Sequence, residues 1–348
     1  MKQMCFKVLM TAVLSAFCLA PLAADEVEFL GAGATFPYPY YSKIFDAYYL
    51  QTGVKINYQA IGSGGGILQL LNKTVDFGGT DAFMNDEELA KATGPILHLP
   101  TCLGAVVVIY DLPGEPALRL TAQVIADIFM GRITKWNDPA LAQINPDLHL
   151  PDLNIVVVHR SDGSGTTFIF SDYLSKVSPG WEKTVGRGKS LNWPAGLGAK
   201  GNPGVAGLVK QLPGSIGYVE LVYAEQNDMA VAAVENRAGA YIQPSIASVS
   251  LAADIELPDD ARVSITDTDA PEGYPISGFT WLIFYQEQSY GGRSEQQARG
   301  LVDLMWWVIH EGQQYAEDLQ YAPLPEQARG ICEDILGSVV YQGQRIYP

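Results

Sequence analysis

Ile155-Val156-Val157-Val158-His159-Arg160-Ser161-Asp162-Gly163-Ser164-Gly165-Thr166-Thr167-Phe168 is the stretch that decides how this chain is read. The branched residues 155–158 predict a short buried strand, and the chain from Thr167 onward continues as a helix. Between them lie glycines and small hydroxylated residues, which start helices and leave backbone N–H groups pointing outward without partners. A helix start of this kind is a ready anion site, and Arg160 lies just upstream of it. Gly31-Ala32-Gly33-Ala34-Thr35-Phe36-Pro37 and Gly62-Ser63-Gly64-Gly65-Gly66 share the same make-up. One glycine-rich turn carries little weight. Three in one chain point to loops that converge on a single oxyanion.

The flanking sequence alternates strands with helices. Residues 26–30, 54–60, 75–78 and 103–110 read as strands, and residues 37–50 and 66–73 as helices. Asn85 with Glu88 three positions on predicts a capped helix start. Further along, residues 121–130 and a segment opened by Trp136-Asn137-Asp138-Pro139 read as helices. Residues 212–219 read as a turn into a strand, and 276–285 as a buried strand. Residues 294–319 predict one long amphipathic helix with Leu301, Leu304, Met305 and Val308 on one face. Residues 178–204, rich in glycine, proline and lysine, predict surface loops. Tyr38, Tyr41, Phe45, Tyr48 and Tyr49 fall on one face of the first helix and are expected to pack in the core. Alternation of this kind implies an α/β fold with a parallel-rich sheet, and 348 residues suit one large or two medium domains. Two such units would form a cleft, a common place for ligands.

Lys2 and Lys7, an apolar run over residues 8–19, and Ala20-Pro21-Leu22-Ala23-Ala24 before Asp25-Glu26 form the three-part pattern of a signal peptide, residues 1–24. The mature chain is therefore expected to be exported. Cys18 as a lipidation site is disfavoured by the bulky Phe17 before it. No later stretch is long enough to cross a bilayer. Cys102 and Cys332 stay in the mature chain, either paired or as two buried thiols. The formal charge of −16 argues against nucleic acid or an anionic membrane as partner. Removing residues 1–24 deletes two lysines and no acid, taking it to −18. An anion must then be held by oriented dipoles and short-range hydrogen bonds, because the overall field repels it.

Nucleotide motifs fail on inspection. Gly188-Lys189-Ser190 resembles the end of a P-loop, but the required earlier glycine is Lys183. Gly31-x-Gly33 and Gly62-x-Gly64 would need glycines at 36 and 67, which are Phe36 and Ile67. A hydrolase built on Ser164 with His159 and Asp162 lacks the nucleophile elbow, since Asp162 and Thr166 occupy its glycine positions. His98, His149, His159 and His310 are scattered with no metal-ligand spacing, so no metal or cofactor is expected.

An ordered set of motifs remains: Gly31–Pro37, Ile61–Gly66, Val75-Asp-Phe-Gly-Gly-Thr-Asp-Ala82, Trp136–Asp138, Arg160–Thr166, Gly196–Asn202 and Pro213–Val219. In this order they resemble the periplasmic phosphate-binding proteins of bacterial phosphate ABC importers, over about residues 30–325. The resemblance implies a non-enzymatic, monomeric, two-domain clamp of the type II periplasmic binding class. Its first domain would be residues 25–105 with 271–348, and its second residues 106–270. Phosphate would lie in the cleft between them, for delivery to membrane permease subunits. By matching motifs, Thr35, Phe36 (through its backbone N–H), Ser63 and Asp81 would come from the first domain. Arg160, Asp162, Ser164, Gly165 and Thr166 would close from the second. His159, where relatives often carry another basic residue, departs from the pattern but leaves Arg160 in place.

Chemistry gives Asp81 a distinct task. A carboxylate in an anion pocket repels its ligand unless the ligand has a proton to donate, as phosphate does near neutral pH and sulfate does not. Two other readings set the alternatives: a phosphoester hydrolase using Ser164, or a clamp for another oxyanion such as molybdate or arsenate.

Overall fold

A computed structural model describes residues 28–347 of the chain; the proposed signal peptide lies outside them. Strand β1 (Glu28–Gly33) leads into helix α1 (Tyr38–Thr52), β2 (Lys55–Ala60), α2 (Ser63–Leu71), β3 (Phe77–Thr80), α3 (Asp86–Leu89) and the long strand β4 (Ile96–Tyr110). The chain continues through β5 (Arg119–Leu120), α4 (Ala122–Phe129), α5 (Pro139–Ile144), β6 (Val156–Arg160), α6 (Gly165–Val177), α7 (Pro179–Thr184), β7 (Leu197–Ala199), α8 (Gly201–Gln211) and β8 (Ser215–Glu220). Helix α9 (Leu221–Gln226), the short strands β9 (Ala230–Val231), β10 (Ala233–Glu235) and β11 (Tyr241–Ile242), and α10 (Ile246–Ala252) precede β12 (Ser277–Tyr285). Helices α11 (Glu295–Ile309) and α12 (Glu326–Gly337) follow.

The main sheet runs β2-β1-β3-β12-β4-β8-β6-β7. Its two outer portions are parallel: β2 and β3 flank β1, and β7 and β8 flank β6. The middle is antiparallel, because β12 returns against both β3 and β4, and β8 against β4. Strand β4 is buried along nearly its whole length and serves both portions. Its first part, Ile96 to Ala105, pairs with β12; its last part, Val106 to Tyr110, pairs with β8. The partner changes between consecutive residues, so the two portions share one strand as their join.

Pro100 sits inside that central strand, where it can donate no ladder hydrogen bond. The register slips there: Thr280 pairs with Cys102 and Trp281 with Pro100, leaving Thr101 as the extra residue of a bulge. On the other side of β12, Trp281 pairs with Thr80 of β3, which sets Thr280 beside Asp81 with its hydroxyl 2.9 Å from the carboxylate.

Several local expectations are corrected. Residues 178–204 are not one run of surface loops: α7 and β7 form there, α8 begins there, and Trp181 is fully buried. Ser178 caps α7 and Pro179 fits its first turn, so the proline begins a helix where composition suggested a break. The helix expected over 294–319 ends at Ile309, and two short 3-10 turns follow. On α1, Tyr41, Phe45 and Tyr48 are buried as expected, together with Tyr40 and Ile44, but Tyr38 and Tyr49 are exposed. Helix α2 starts at Ser63, three residues earlier than expected, which places its first turn at the cleft. Cys102 and Cys332 are both buried and unbonded, and burial holds both thiols in their neutral form.

Candidate functional site

The three loops read as anion sites, and the loop that carries Asp81, each leave the carboxyl end of a parallel strand. Thr35 follows β1, Ser63 follows β2, Asp81 follows β3, and Asp162 to Thr166 follow β6. Parallel strands aim these loops toward one edge of the sheet, where ligands of open α/β sheets bind. Thr35, Ser63, Asp81, Arg160, Ser164 and Thr166 are all buried despite being polar.

Two walls meet at this point. The first is built from the loops after β1, β2 and β3, and the second from the loop after β6. Ser63 Oγ accepts from the Gly165 N–H at 3.1 Å and from the Asp81 N–H at 3.2 Å, so one hydroxyl joins the walls. Gly64 N–H donates to the Gly163 carbonyl at 2.9 Å. The approach is close enough to require glycine. A Cβ on Gly165 would lie 2.6 Å from Ser63 Oγ and from the Asp81 side chain, and one on Gly62 would lie 2.5 Å from Asp162 Oδ2. Gly62 also has φ of 91°, which disfavours any side chain.

On the second wall, the guanidinium of Arg160 is gripped by Asp162 through Nε at 2.7 Å and Nη2 at 2.6 Å. This forked pair fixes the plane of the guanidinium and cancels its charge. Burial alone would raise the Asp162 carboxyl, but the hydrogen bonds and charge of Arg160 outweigh it and hold the pKa below the usual carboxylate value. Arg160 Nη1 reaches Thr166 Oγ1 at 3.3 Å. Ser164 is the N-cap of α6, its Oγ accepting from Thr167 N–H at 3.0 Å.

Asp81 stands opposite and is 2% exposed. Burial pushes its pKa from 3.8 up to about 7, against the hydrogen bond from Thr280, the charge of Arg160 and the hydrogen bond from Ser63. The group can therefore hold or release a proton near neutral pH. Phe36 lies on the same wall with its ring buried, and its carbonyl accepts from the Tyr321 hydroxyl at 2.6 Å.

Sequence reasoning missed three contributors. Thr280 arrives from a strand some two hundred residues after Asp81, and nothing local marks it. Tyr218 donates to or accepts from Thr167 Oγ1 at 2.6 Å and accepts from the Arg160 N–H at 3.2 Å, fixing the base of the second wall. Asn202 lay inside a recognised motif without a role; it bridges Thr35 and Thr166. Among the described residues no group of three or more His, Cys, Asp or Glu is placed to hold a metal, and no helix is long and apolar enough to cross a membrane.

Residues 20–309 match the family model described as the PBP superfamily domain. The phosphate-binding protein PstS of Pasteurella multocida is 43% identical over 316 residues, covering 89% of this chain and 90% of that protein. Its counterpart in Xylella fastidiosa is 46% identical over 313 residues, covering 88% and 84%. The chain belongs to the PstS family of phosphate-binding proteins. In fold it also matches a solved high-affinity periplasmic phosphate-binding protein with bound phosphate, at a TM-score of 0.73 and 22% identity, over 88% of this chain and 93% of that one. The α/β fold is thus the two-domain architecture of the periplasmic binding proteins.

Proposed function

We propose that this chain is an exported receptor that captures inorganic phosphate between two lobes and delivers it to the membrane subunits of an ABC importer. The lobes would be residues 25–105 with 271–348, and residues 106–270. The change of partner along β4 at Ala105 and Val106 supports the first boundary. Residues 1–24 would direct the chain to the periplasm, where it acts as a monomer and not as an enzyme. Phosphate would be held by Thr35, the Phe36 N–H, Ser63 and Asp81 from one lobe. From the other come Arg160, which Asp162 orients, and Ser164, Gly165 and Thr166 at the start of α6.

The observation that carries this reading is the buried meeting of Ser63, Asp81 and Gly165 across the two walls. Neutral donors at a helix start can hold a dianion, Arg160 supplies one neutralised cation, and Asp81 accepts a proton that phosphate can provide. No observation favours the hydrolase alternative. Ser164 Oγ is engaged as a helix cap, while the His159 ring stacks on Trp193 at 4.7 Å and its Nδ1 pairs with the Arg160 carbonyl.

Calorimetry with phosphate and sulfate on the mature chain tests the proposal. Phosphate is expected to bind tightly and sulfate weakly, and phosphate at about a hundredfold above its Kd should stabilise the fold by about 2.7 kcal/mol. Equal affinity for both anions, or no heat with phosphate, would refute it. Turnover of a phosphate ester that vanishes in Ser164→Ala would favour the hydrolase instead.

A further inference from the structure

Asn202 is the second residue of α8 and is fully buried. Its carboxamide oxygen accepts from the Glu220 backbone N–H at 3.0 Å, at the end of β8. A backbone N–H can only donate, so this contact fixes which end of the amide is oxygen and turns the NH2 group the other way. The two amide hydrogens are both used: Nδ2 lies 2.9 Å from Thr35 Oγ1 and 3.1 Å from Thr166 Oγ1. Thr35 belongs to the first wall and Thr166 to the second.

A hydroxyl has two acceptor positions and one hydrogen. Thr35 Oγ1 receives Nδ2 and also the Asn202 backbone N–H at 3.1 Å, so both of its acceptor positions are filled. Thr166 Oγ1 receives Nδ2 and Arg160 Nη1, with the same result. Each hydroxyl is left with a single capacity, donation of its hydrogen. Among the described residues no acceptor takes either hydrogen. Without Asn202, a rotating hydroxyl could present a lone pair to the cleft as readily as a hydrogen, and a lone pair facing an oxyanion is repulsive.

We propose that Asn202 is a positioning residue that sets the polarity of the cleft, holding the Thr35 and Thr166 hydroxyls as donors toward the anion from both walls at once. This rests on the phosphate-binding reading given above. It assigns Asp81 as the acceptor to which a ligand hydrogen goes, because the two threonines that could compete for that hydrogen are saturated. The Thr35 contacts tie α8 to the loop after β1, so the Thr35 hydroxyl is set only when the walls are together, whereas Thr166 is held from within its own lobe.

Nuclear magnetic resonance on the phosphate-loaded chain, labelled at threonine, tests the proposal together with calorimetry. In the wild type, both hydroxyl hydrogens are expected to exchange slowly with water and to show scalar coupling to the ligand phosphorus. Asn202→Asp keeps the shape but replaces the amide donors with acceptors. Both hydroxyls should then turn away from the ligand, the couplings should vanish, and affinity should fall by about tenfold or more, as for a lost hydrogen bond to a charged group. Should that variant fail to fold, Asn202→Ala is expected to weaken the couplings and speed hydroxyl exchange, with about a threefold to tenfold loss of affinity. A purely structural role would lower affinity and leave the couplings intact. Tight phosphate binding without couplings in the wild type, or unchanged couplings in Asn202→Ala, would overturn the proposal. Absence of phosphate binding by the wild type would overturn the functional reading itself, and this inference with it.

Discussion

The two walls of the cleft handle charge differently. The wall after β6 holds a cation, Arg160, and matches it with Asp162 in a forked pair. The wall after β1, β2 and β3 contributes Thr35, Ser63 and Asp81, with no cation and one buried acid whose pKa burial raises to about 7. In a chain with net charge −16, neither wall offers an excess of positive charge. On the proposed function, this difference separates attraction from selection. Oriented donors and a tethered arginine would grip the anion on one side, and on the other the ionised acid would favour an anion that brings a hydrogen.

Breaking the arginine side should have the largest effect. Arg160→Ala leaves Asp162 partly buried without its partner, a loss on the order of 3–5 kcal/mol for a broken buried pair. Phosphate affinity should fall by at least about a hundredfold by calorimetry. Near-wild-type affinity would remove Arg160 from the site. Asp81→Asn attacks the other wall. An amide can donate to sulfate where a carboxylate repels it, so the preference for phosphate should narrow by roughly 1–3 kcal/mol. An unchanged preference in competition titrations would show that Asp81 does not select.

The wild type sharpens the same contrast through pH. Asp81 is protonated below about pH 7 and can then donate to an anion that carries no hydrogen. Sulfate should gain on phosphate as pH falls through 7, and a constant ratio from pH about 9 to about 6 would count against that assignment.

A second buried acid, Glu220, is not among the proposed ligands. Glu220 is fully buried behind Phe36; its Oε2 accepts from the Val222 N–H at 2.9 Å and lies 3.2 Å from the Tyr321 hydroxyl, whose hydrogen goes to the Phe36 carbonyl, and its Oε1 has no partner. Burial raises its pKa well above 4.5. The folded state therefore keeps a proton that the unfolded chain has released. The stabilisation is complete below pH 4.5 and is lost as pH rises toward the folded pKa. Glu220→Gln should flatten this decline by up to about 1.4 kcal/mol per pH unit, read by denaturant unfolding between pH about 5 and about 8. An unchanged slope would show that Glu220 is ionised in the fold.

The smallest effect is expected at the rim. Lys189 Nζ reaches Glu88 Oε2 at 2.7 Å, and its carbonyl accepts from the Ser164 N–H, so this residue links α3 to the start of α6. Both side chains are mostly covered, at 14% and 19% exposure, so Lys189→Ala should speed phosphate release several-fold, as for a pair at the upper end of about 0.2–1 kcal/mol, by stopped-flow displacement. A change of a hundredfold would mean that the rim, and not the walls, holds the cleft shut.

How much of this was legible depended on how local the cause is. The helix start at Ser164 and the capping box at Asn85 and Glu88 were readable because both are set by contacts three residues apart. The end of α11 was misjudged because the 3-10 turn after Ile309 is held by partners far along the chain, Gln313 reaching Tyr40 and Thr101. The helix at 179–184, in contrast, had a local start signal in Ser178 and Pro179 that the glycine- and proline-rich composition masked. Asn202 was visible as part of a motif, yet its role depends on Glu220, Thr35 and Thr166, which no spacing rule connects.

The amino-acid order alone fixed which loops carry small donors, where Arg160 and Asp81 stand in the chain, and that strands and helices alternate around them. Those are consequences of short-range chemistry. Only the folded chain decided which hydroxyl faces which donor, that the pairing of β12 with β3 brings Thr280 onto Asp81, and that burial lifts that acid to near-neutral titration. Hydrogen-bond polarity and desolvation are set by what surrounds a group in space, and that arrives from every part of the sequence.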